Sequence, residues 1–220
     1  MTAAIKTDKL KRFKNLEFIL GVLLVGGIGL AVIFSGWLFP GGGSELNLAY
    51  RLTPPLVEPG FPLGTDPLGR DVLARVIIGG EISLKVGVYS ALGAVVIGII
   101  MGLVSGYYGG FLDMIVMRFA DVQLALPFIL LAITFIAVIG GGLTNMIILL
   151  IISQWVQYAR LVRGSVLSLR DREFILAAKA IGVKDIRILF QHLLPNLIGP
   201  VIVLMTLNVA NNILLESSLT

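Results

Sequence analysis

The sequence contains no cysteine and only one histidine, His192. The first absence excludes disulfides, thiolate metal sites and cysteine nucleophiles, and the second excludes the histidine-rich clusters of most zinc and iron sites. Charged residues make up 14% of the 220 residues, against roughly 25% in soluble domains, while hydrophobic residues make up 57%. Mean hydropathy is +0.97. Because these few charged residues cannot cover the surface of a soluble globular domain, the chain is predicted to be an integral membrane protein.

The sequence also lacks the glycine-rich phosphate-binding loop that ends in lysine. The glycine runs Gly41–Gly43 and Gly140–Gly142 are not followed by lysine. If the protein works with ATP, another subunit must therefore bind the nucleotide and its Mg²⁺. The apolar stretches hold no paired carboxylates and no metal-ligand cluster, so an intramembrane enzyme has little support.

Long uncharged runs predict an all-α fold, a polytopic bundle of membrane-spanning helices, because a bilayer core of about 30 Å needs about 20 apolar residues in a helix. The glycine run at 140–142 divides one run that is too long for a single helix. Five spans are predicted, at residues 18–39, Val86–Tyr108, Val122–Ile139, Leu143–Tyr158 and Leu197–Leu215. Around them we distinguish a basic leader (1–17), an extracytoplasmic segment with an interfacial helix (40–85) and a permease core (86–220).

Basic residues concentrate in the leader and in the stretch 160–195. Because cytoplasmic segments carry an excess of Lys and Arg, both are predicted to be cytoplasmic, with the N-terminus inside. Five spans then leave the C-terminus outside, which leads us to expect a chain that is incomplete at its C-terminus.

The second predicted span carries a small residue at every fourth position. Small side chains on one helix face allow a second backbone to approach closely, which is how helices pack in lipid. Packing within the chain and an interface with another subunit explain the pattern equally well. The residues are Ser90, Ala94, Gly98, Gly102 and Gly106.

A helix is predicted before that span, with Asp66 as its cap and Pro67 at its first position. The spacing pairs Asp66 with Arg70, and Asp71 with Arg75, as surface ion pairs.

The stretch 160–195 contains two predicted short helices. Glu173–Ile181 forms the first, which Gly182 ends. The second has an apolar stripe at Ile186, Leu189, Phe190, Leu193 and Leu194, and Pro195 is predicted to end it. Docking to a soluble partner and lying on anionic lipid both fit this pattern.

A few polar residues lie inside the predicted spans. They mark a possible translocation path, although hydrogen bonds between helices explain such amides at least as well. Pro127 is predicted to bend the third span. The path candidates are Gln154, Asn208, Asn211 and Asn212, the last three sharing one predicted helix face.

The stretch 160–195 resembles the "EAA" signature of permeases in ATP-binding-cassette (ABC) importers. Ala177, Ala178, Gly182, Leu194 and Pro195 stand at matching positions, and Leu176 replaces the signature glutamate, with Glu173 one turn earlier. More specifically, the chain is similar to the C-type permease of the dipeptide/oligopeptide/nickel family. That resemblance rests on 62–66, 69–71, 117–121, 126–127, 155 and 158–164.

This resemblance implies a type I importer permease in the prokaryotic inner membrane, which is not itself an enzyme. It implies a second homologous permease, two ATPase subunits that bind ATP and Mg²⁺, and an extracytoplasmic solute-binding protein. Peptides or nickel chelates are the implied cargo, and a sixth span is implied beyond residue 218. The signature segment would couple ATP hydrolysis to uptake through Glu173, Ala177, Ala178, Gly182, Leu194 and Pro195. The alternatives are an autonomous channel or secondary transporter, or a non-functional truncated permease.

Overall fold

The computed structural model describes residues 16–219. These residues are helical apart from loops, a single-turn 3₁₀ helix at Leu48–Tyr50 and an isolated bridge between Thr65 and Asp71, so the all-α prediction is confirmed. Residues 1–15 of the predicted leader lie outside the described residues. The helices are α1 (Leu16–Ile33), α2 (Ser35–Leu38), α3 (Val72–Tyr108), α4 (Gly110–Ala125), α5 (Phe128–Ile139), α6 (Leu143–Leu169), α7 (Glu173–Ala180), α8 (Asp185–Arg187) and α9 (Leu194–Leu219).

Among the residues that the structure describes, fewer than five helices are long and apolar enough to span a membrane. Within residues 16–219 three qualify: α3, α6, and the continuous helix Asp185–Ser218 that contains α8 and α9. The bent pair α4–α5 makes a fourth if it counts as one span. The predicted first span is divided after Ile33, and its apolar helix, Ile19–Ile33, is shorter than the others. The prediction of five spans is therefore not confirmed.

The predicted third span, Val122–Ile139, is instead the end of one helix and the whole of another. Helices α4 and α5 meet at an angle of 92°. Pro127 has no N–H to continue α4, and proline disfavours helical geometry in the residue before it. Leu126 accordingly has extended backbone angles (φ −89°, ψ 126°). Proline was expected to bend the span, and it breaks it.

The glycine run at 140–142 separates α5 from α6, as predicted, but α6 extends eleven residues past its predicted end at Tyr158 to Leu169. The basic residues of this extension, Arg160 and Arg163, form ion pairs with Asp121 and Asp113 of α4. The Arg163 guanidinium donates two hydrogen bonds to the Asp113 carboxylate of α4, one of them 2.6 Å long.

Pro195 does not end a helix, contrary to the prediction. A π-helical turn, Ile188–Leu193, precedes it and joins α8 to α9. The Leu194 N–H donates to the carbonyl of Leu189, five residues earlier. Such a widened turn allows a helix to continue through a position where the regular α-helical hydrogen-bond pattern cannot be kept. The Asn196 amide donates to the His192 carbonyl at 2.6 Å.

The described residues form two compact units that divide between Ile82 and Ser83. In the first unit the predicted helix after Asp66 is wrong, because α3 begins at Val72, where the Asp71 carboxylate accepts the Leu73 N–H at 2.9 Å. Asp66 instead closes a turn and accepts hydrogen bonds from the Leu68 and Arg70 N–H groups.

The predicted Asp66–Arg70 ion pair is present at 2.7 Å, but Arg75 pairs with Asp66 at 2.8 Å rather than with Asp71. Desolvation raises the pKa of Asp66, but hydrogen bonds from Arg70 and Leu68 outweigh it and lower the pKa to about 2. This carboxylate is therefore ionised throughout the physiological pH range.

Candidate docking surface and buried amide cluster

Helix α7 ends in a hydrogen-bonded corner at Gly182. The Gly182 N–H donates to the Lys179 carbonyl, and the Val183 N–H donates to the Ala178 carbonyl, both at 3.0 Å. This is the Schellman arrangement, which places a residue with positive φ after the helix. Gly182 has φ +79°, a conformation that side chains with a Cβ rarely adopt. The corner turns the chain from α7 into α8.

The inner side of this helix pair is buried in the core of the second unit. Ile175 and Ala178 of α7 join Ile188 and Leu189 of the π-helical turn in one apolar cluster, which also includes Tyr107 of α3. The pair is therefore packed against the bundle as a fixed part of the fold.

The outer side exposes a set of large apolar side chains, which we call the docking surface. Ile181 at the corner is 81% exposed. Large apolar side chains that stay exposed on a helix pair anchored to the core are typical of a protein-interaction site. The docking surface consists of Phe174, Leu176, Ile181, Ile186 and Phe190.

Two polar contacts hold the helix pair to the end of α3. The Tyr107 hydroxyl donates to an Asp185 carboxylate oxygen at 2.7 Å, and the Lys179 ammonium lies 4.7 Å from the centroid of the same ring. One aromatic side chain thus contacts both sides of the Gly182 corner. Sequence reasoning missed Tyr107, whose only signal was its place directly after the small-residue stripe.

The small-residue stripe packs inside the chain. A Cβ at Gly102 would lie 2.6 Å from the Ala159 carbonyl oxygen and 2.7 Å from the Val162 Cβ. Gly98 and Gly106 approach α6 in the same way, and Ser90 and Ala94 are fully buried. The three glycines of the stripe therefore lie against α6 within the chain.

The four residues predicted to mark a translocation path differ in burial. Gln154, Asn208 and Asn212 are at most 6% exposed, whereas Asn211 is exposed on another side of α9. The Gln154 amide donates to the Asn212 side-chain oxygen, and the Asn212 amide donates to Ser90 Oγ at 2.7 Å. These residues, together with Asn208, form the amide cluster, where α3, α6 and α9 meet.

Comparison with known proteins places this geometry in a family. The profile described as "binding-protein-dependent transport system inner membrane component" matches residues 94–220. Over 206 residues, the chain is 42% identical to the dipeptide transport system permease protein DppC of Alkalihalophilus pseudofirmus, covering 94% of this chain and 67% of the relative.

The chain belongs to this transport family.

Two further relatives carry related names. The oligopeptide transport system permease protein OppC of Bacillus subtilis is 38% identical over 97% of this chain and 70% of its own length. The glutathione transport system permease protein GsiD of Escherichia coli is 42% identical over 71% of this chain and 52% of its own length. The chain thus spans about two thirds of the first two relatives and about half of the third.

Family membership and the apolar helices together make the chain a multi-pass inner-membrane transport component. Within this member of the binding-protein-dependent family, the signature residues fall into three groups. Glu173, Ala177 and Gly182 are exposed beside the docking surface, whereas Ala178 is buried beneath it. Leu194 and Pro195 lie in the first turn of α9. Leu176, in place of the signature glutamate, is 50% exposed and contributes to the docking surface.

Proposed function

We propose that the chain is the permease subunit of an ATP-driven importer for dipeptides, oligopeptides or related small solutes such as nickel chelates. The observation that carries the proposal is the docking surface, a set of exposed apolar side chains on a helix pair that is anchored to the core of a transport-family member. A soluble ATPase subunit, which binds ATP and Mg²⁺, would bind this patch. Motion of that subunit would pass through the packed inner side of the pair to α3 and α9.

The remaining partners follow from the same proposal. A second, homologous permease would complete the pathway, and an extracytoplasmic solute-binding protein would deliver the cargo. The docking surface would then face the cytoplasm, together with the N-terminus. The names of the relatives, which are dipeptide, oligopeptide and glutathione permeases, support a peptide-like cargo.

Co-purification from native membranes tests the docking role. The tagged chain should recover a second permease and an ATPase, and Ile181→Glu should lower recovery of the ATPase about ten-fold, because a charge enters the centre of an apolar interface. Leu56→Glu is the matched control, since Leu56 is 88% exposed but lies in the other unit. It should leave ATPase recovery unchanged.

Two results would contradict the proposal. Undiminished ATPase recovery with Ile181→Glu would leave the helix pair as a lipid-facing element. Solute transport by the purified chain without an ATPase would identify an autonomous channel or secondary transporter.

A further inference from the structure

A cavity of about 280 Å³ opens beside the break between α4 and α5. One part of its wall is apolar and includes Leu126 and Phe128. The polar part is formed by four side chains able to hydrogen-bond, which are Gln123, Ser153, Gln154 and Gln157. A small cavity with an apolar wall and a few convergent polar groups is the usual form of a small-solute site.

The hydrogen bonds of the amide cluster determine which atom of the Gln154 side-chain amide is paired within the protein. The Ser90 hydroxyl donates to the Val86 carbonyl, so Ser90 Oγ accepts from the Asn212 amide nitrogen. The Asn212 oxygen must then accept, and it receives the Gln154 Nε2 hydrogen. Gln154 Oε1 consequently takes no part in the hydrogen bonds of the amide cluster.

Gln154 Oε1 is buried and has no hydrogen-bond partner among residues 16–219. Buried side-chain acceptors are nearly always paired, so an unpaired one requires an explanation. Gln157, three residues further along the same side of α6, accepts from the Asn208 amide at 3.3 Å through its Oε1. Its Nε2 amide makes no hydrogen bond within the described part of the chain. Two residues that line the cavity therefore carry a side-chain polar atom without a partner in the described residues: Gln154 Oε1, which is a buried acceptor, and Gln157 Nε2, which is a donor.

We propose that this cavity binds one backbone amide group of a peptide during translocation. Gln154 Oε1 accepts the peptide N–H, Gln157 Nε2 donates to the peptide C=O, and the apolar wall contacts the adjoining side chain. Every residue of a peptide except proline has one backbone donor and one backbone acceptor. A site of this kind therefore recognises the backbone and accepts peptides of varied sequence. The inference rests on the proposed function, because it requires peptide cargo.

Glycylglycine and glycylsarcosine test the acceptor, because the second peptide has an N-methyl group in place of the peptide N–H. ATP-dependent uptake is measured with the complete importer, and kcat/KM for the two peptides is expressed as a ratio. Gln154→Met should reduce the preference for glycylglycine about ten-fold relative to the unmodified chain, the value of one hydrogen bond. Any preference set by the solute-binding protein cancels, because the partners are the same.

Gln123→Met is the matched control. Gln123 also lines the cavity, but its amide donates to the Ile152 and Ser153 carbonyls and its oxygen accepts from Trp155 Nε1. Both ends are occupied, so this variant should keep the ratio even if it slows uptake.

Gln157→Met provides a second test if Gln154→Met fails to accumulate, because Gln157 is exposed and its replacement removes only the 3.3 Å hydrogen bond from Asn208. It should lose the preference for glycylglycine over its thioxo analogue, whose C=S is a poor acceptor. An unchanged ratio in the variants would overturn the cavity assignment and leave a bound water as the partner of Gln154. Absence of ATP-dependent uptake of either peptide by the unmodified importer would overturn the proposed function itself.

Discussion

At the residue scale, Gly182 is required for its backbone angle and not for its size. No atom lies within 4 Å of a Cβ built at this position, yet φ is +79°. Gly182→Val should therefore distort the corner between α7 and α8, because left-handed geometry costs a side chain about 1–2 kcal/mol, and more for a β-branched one. We expect uptake to fall about ten-fold with normal membrane insertion, measured by transport and by immunoblot of membranes.

Gly182→Asn provides the comparison, since asparagine adopts positive φ more readily than other residues with a side chain. It should retain most of the uptake. Equal loss in both variants would show that the corner tolerates no side chain for a reason other than its backbone angle.

The amide cluster shows how far the spacing of residues along a helix predicts which of them are buried. Asn208 and Asn212 are four apart on α9, about 40° around the helix, and both are buried. Asn211 is about 100° from Asn212, and this rotation is enough to expose it. The Ser90 partner of Asn212 is 122 residues away in sequence, so no local pattern identifies it.

At the scale of the element, the close approach of α3 and α6 depends on Gly102. A side chain there meets both the backbone and Val162 of α6, so Gly102→Val should lower the free energy of unfolding by about 1–3 kcal/mol, the usual cost of overpacking. Thermal unfolding in detergent measures this loss. Gly164→Val on α6, where nothing lies within 4 Å, should leave the unfolding temperature nearly unchanged. Equal destabilisation by both would argue against a tight α3–α6 contact.

The long apolar helices of the second unit were largely predictable, but their ends were not, as two prolines demonstrate. Pro127 breaks the chain into α4 and α5, whereas Pro195 lies in an uninterrupted helix. The difference comes from neighbouring turns. The residue before Pro127 is extended, but the π-helical turn before Pro195 rearranges the hydrogen bonds and lets the helix continue. That rearrangement also splits the predicted apolar stripe, burying Leu189 and Leu193 while exposing Ile186 and Phe190.

For the whole molecule, the lack of cysteine makes membrane orientation directly measurable. Single cysteines at Leu56 and Ile181, both more than 80% exposed, can be labelled with a membrane-impermeant maleimide. In intact cells that produce the chain without an ATPase partner, Leu56→Cys should react and Ile181→Cys should react only after permeabilisation, because the basic stretch 160–195 is predicted to be cytoplasmic.

The unsubstituted chain is the blank for this measurement, since it contains no thiol. Reaction of Ile181→Cys in intact cells would reverse the predicted orientation and remove the docking surface from the reach of a cytoplasmic ATPase.

The broken pair α4–α5 has a consequence for the surrounding lipid. Helix α5 has 12 residues, which at 1.5 Å per residue reach about 18 Å, well short of a hydrocarbon core of about 30 Å. Where this segment meets lipid, hydrophobic mismatch favours a locally thinner bilayer. Acyl-chain length would then act on the same break that borders the cavity.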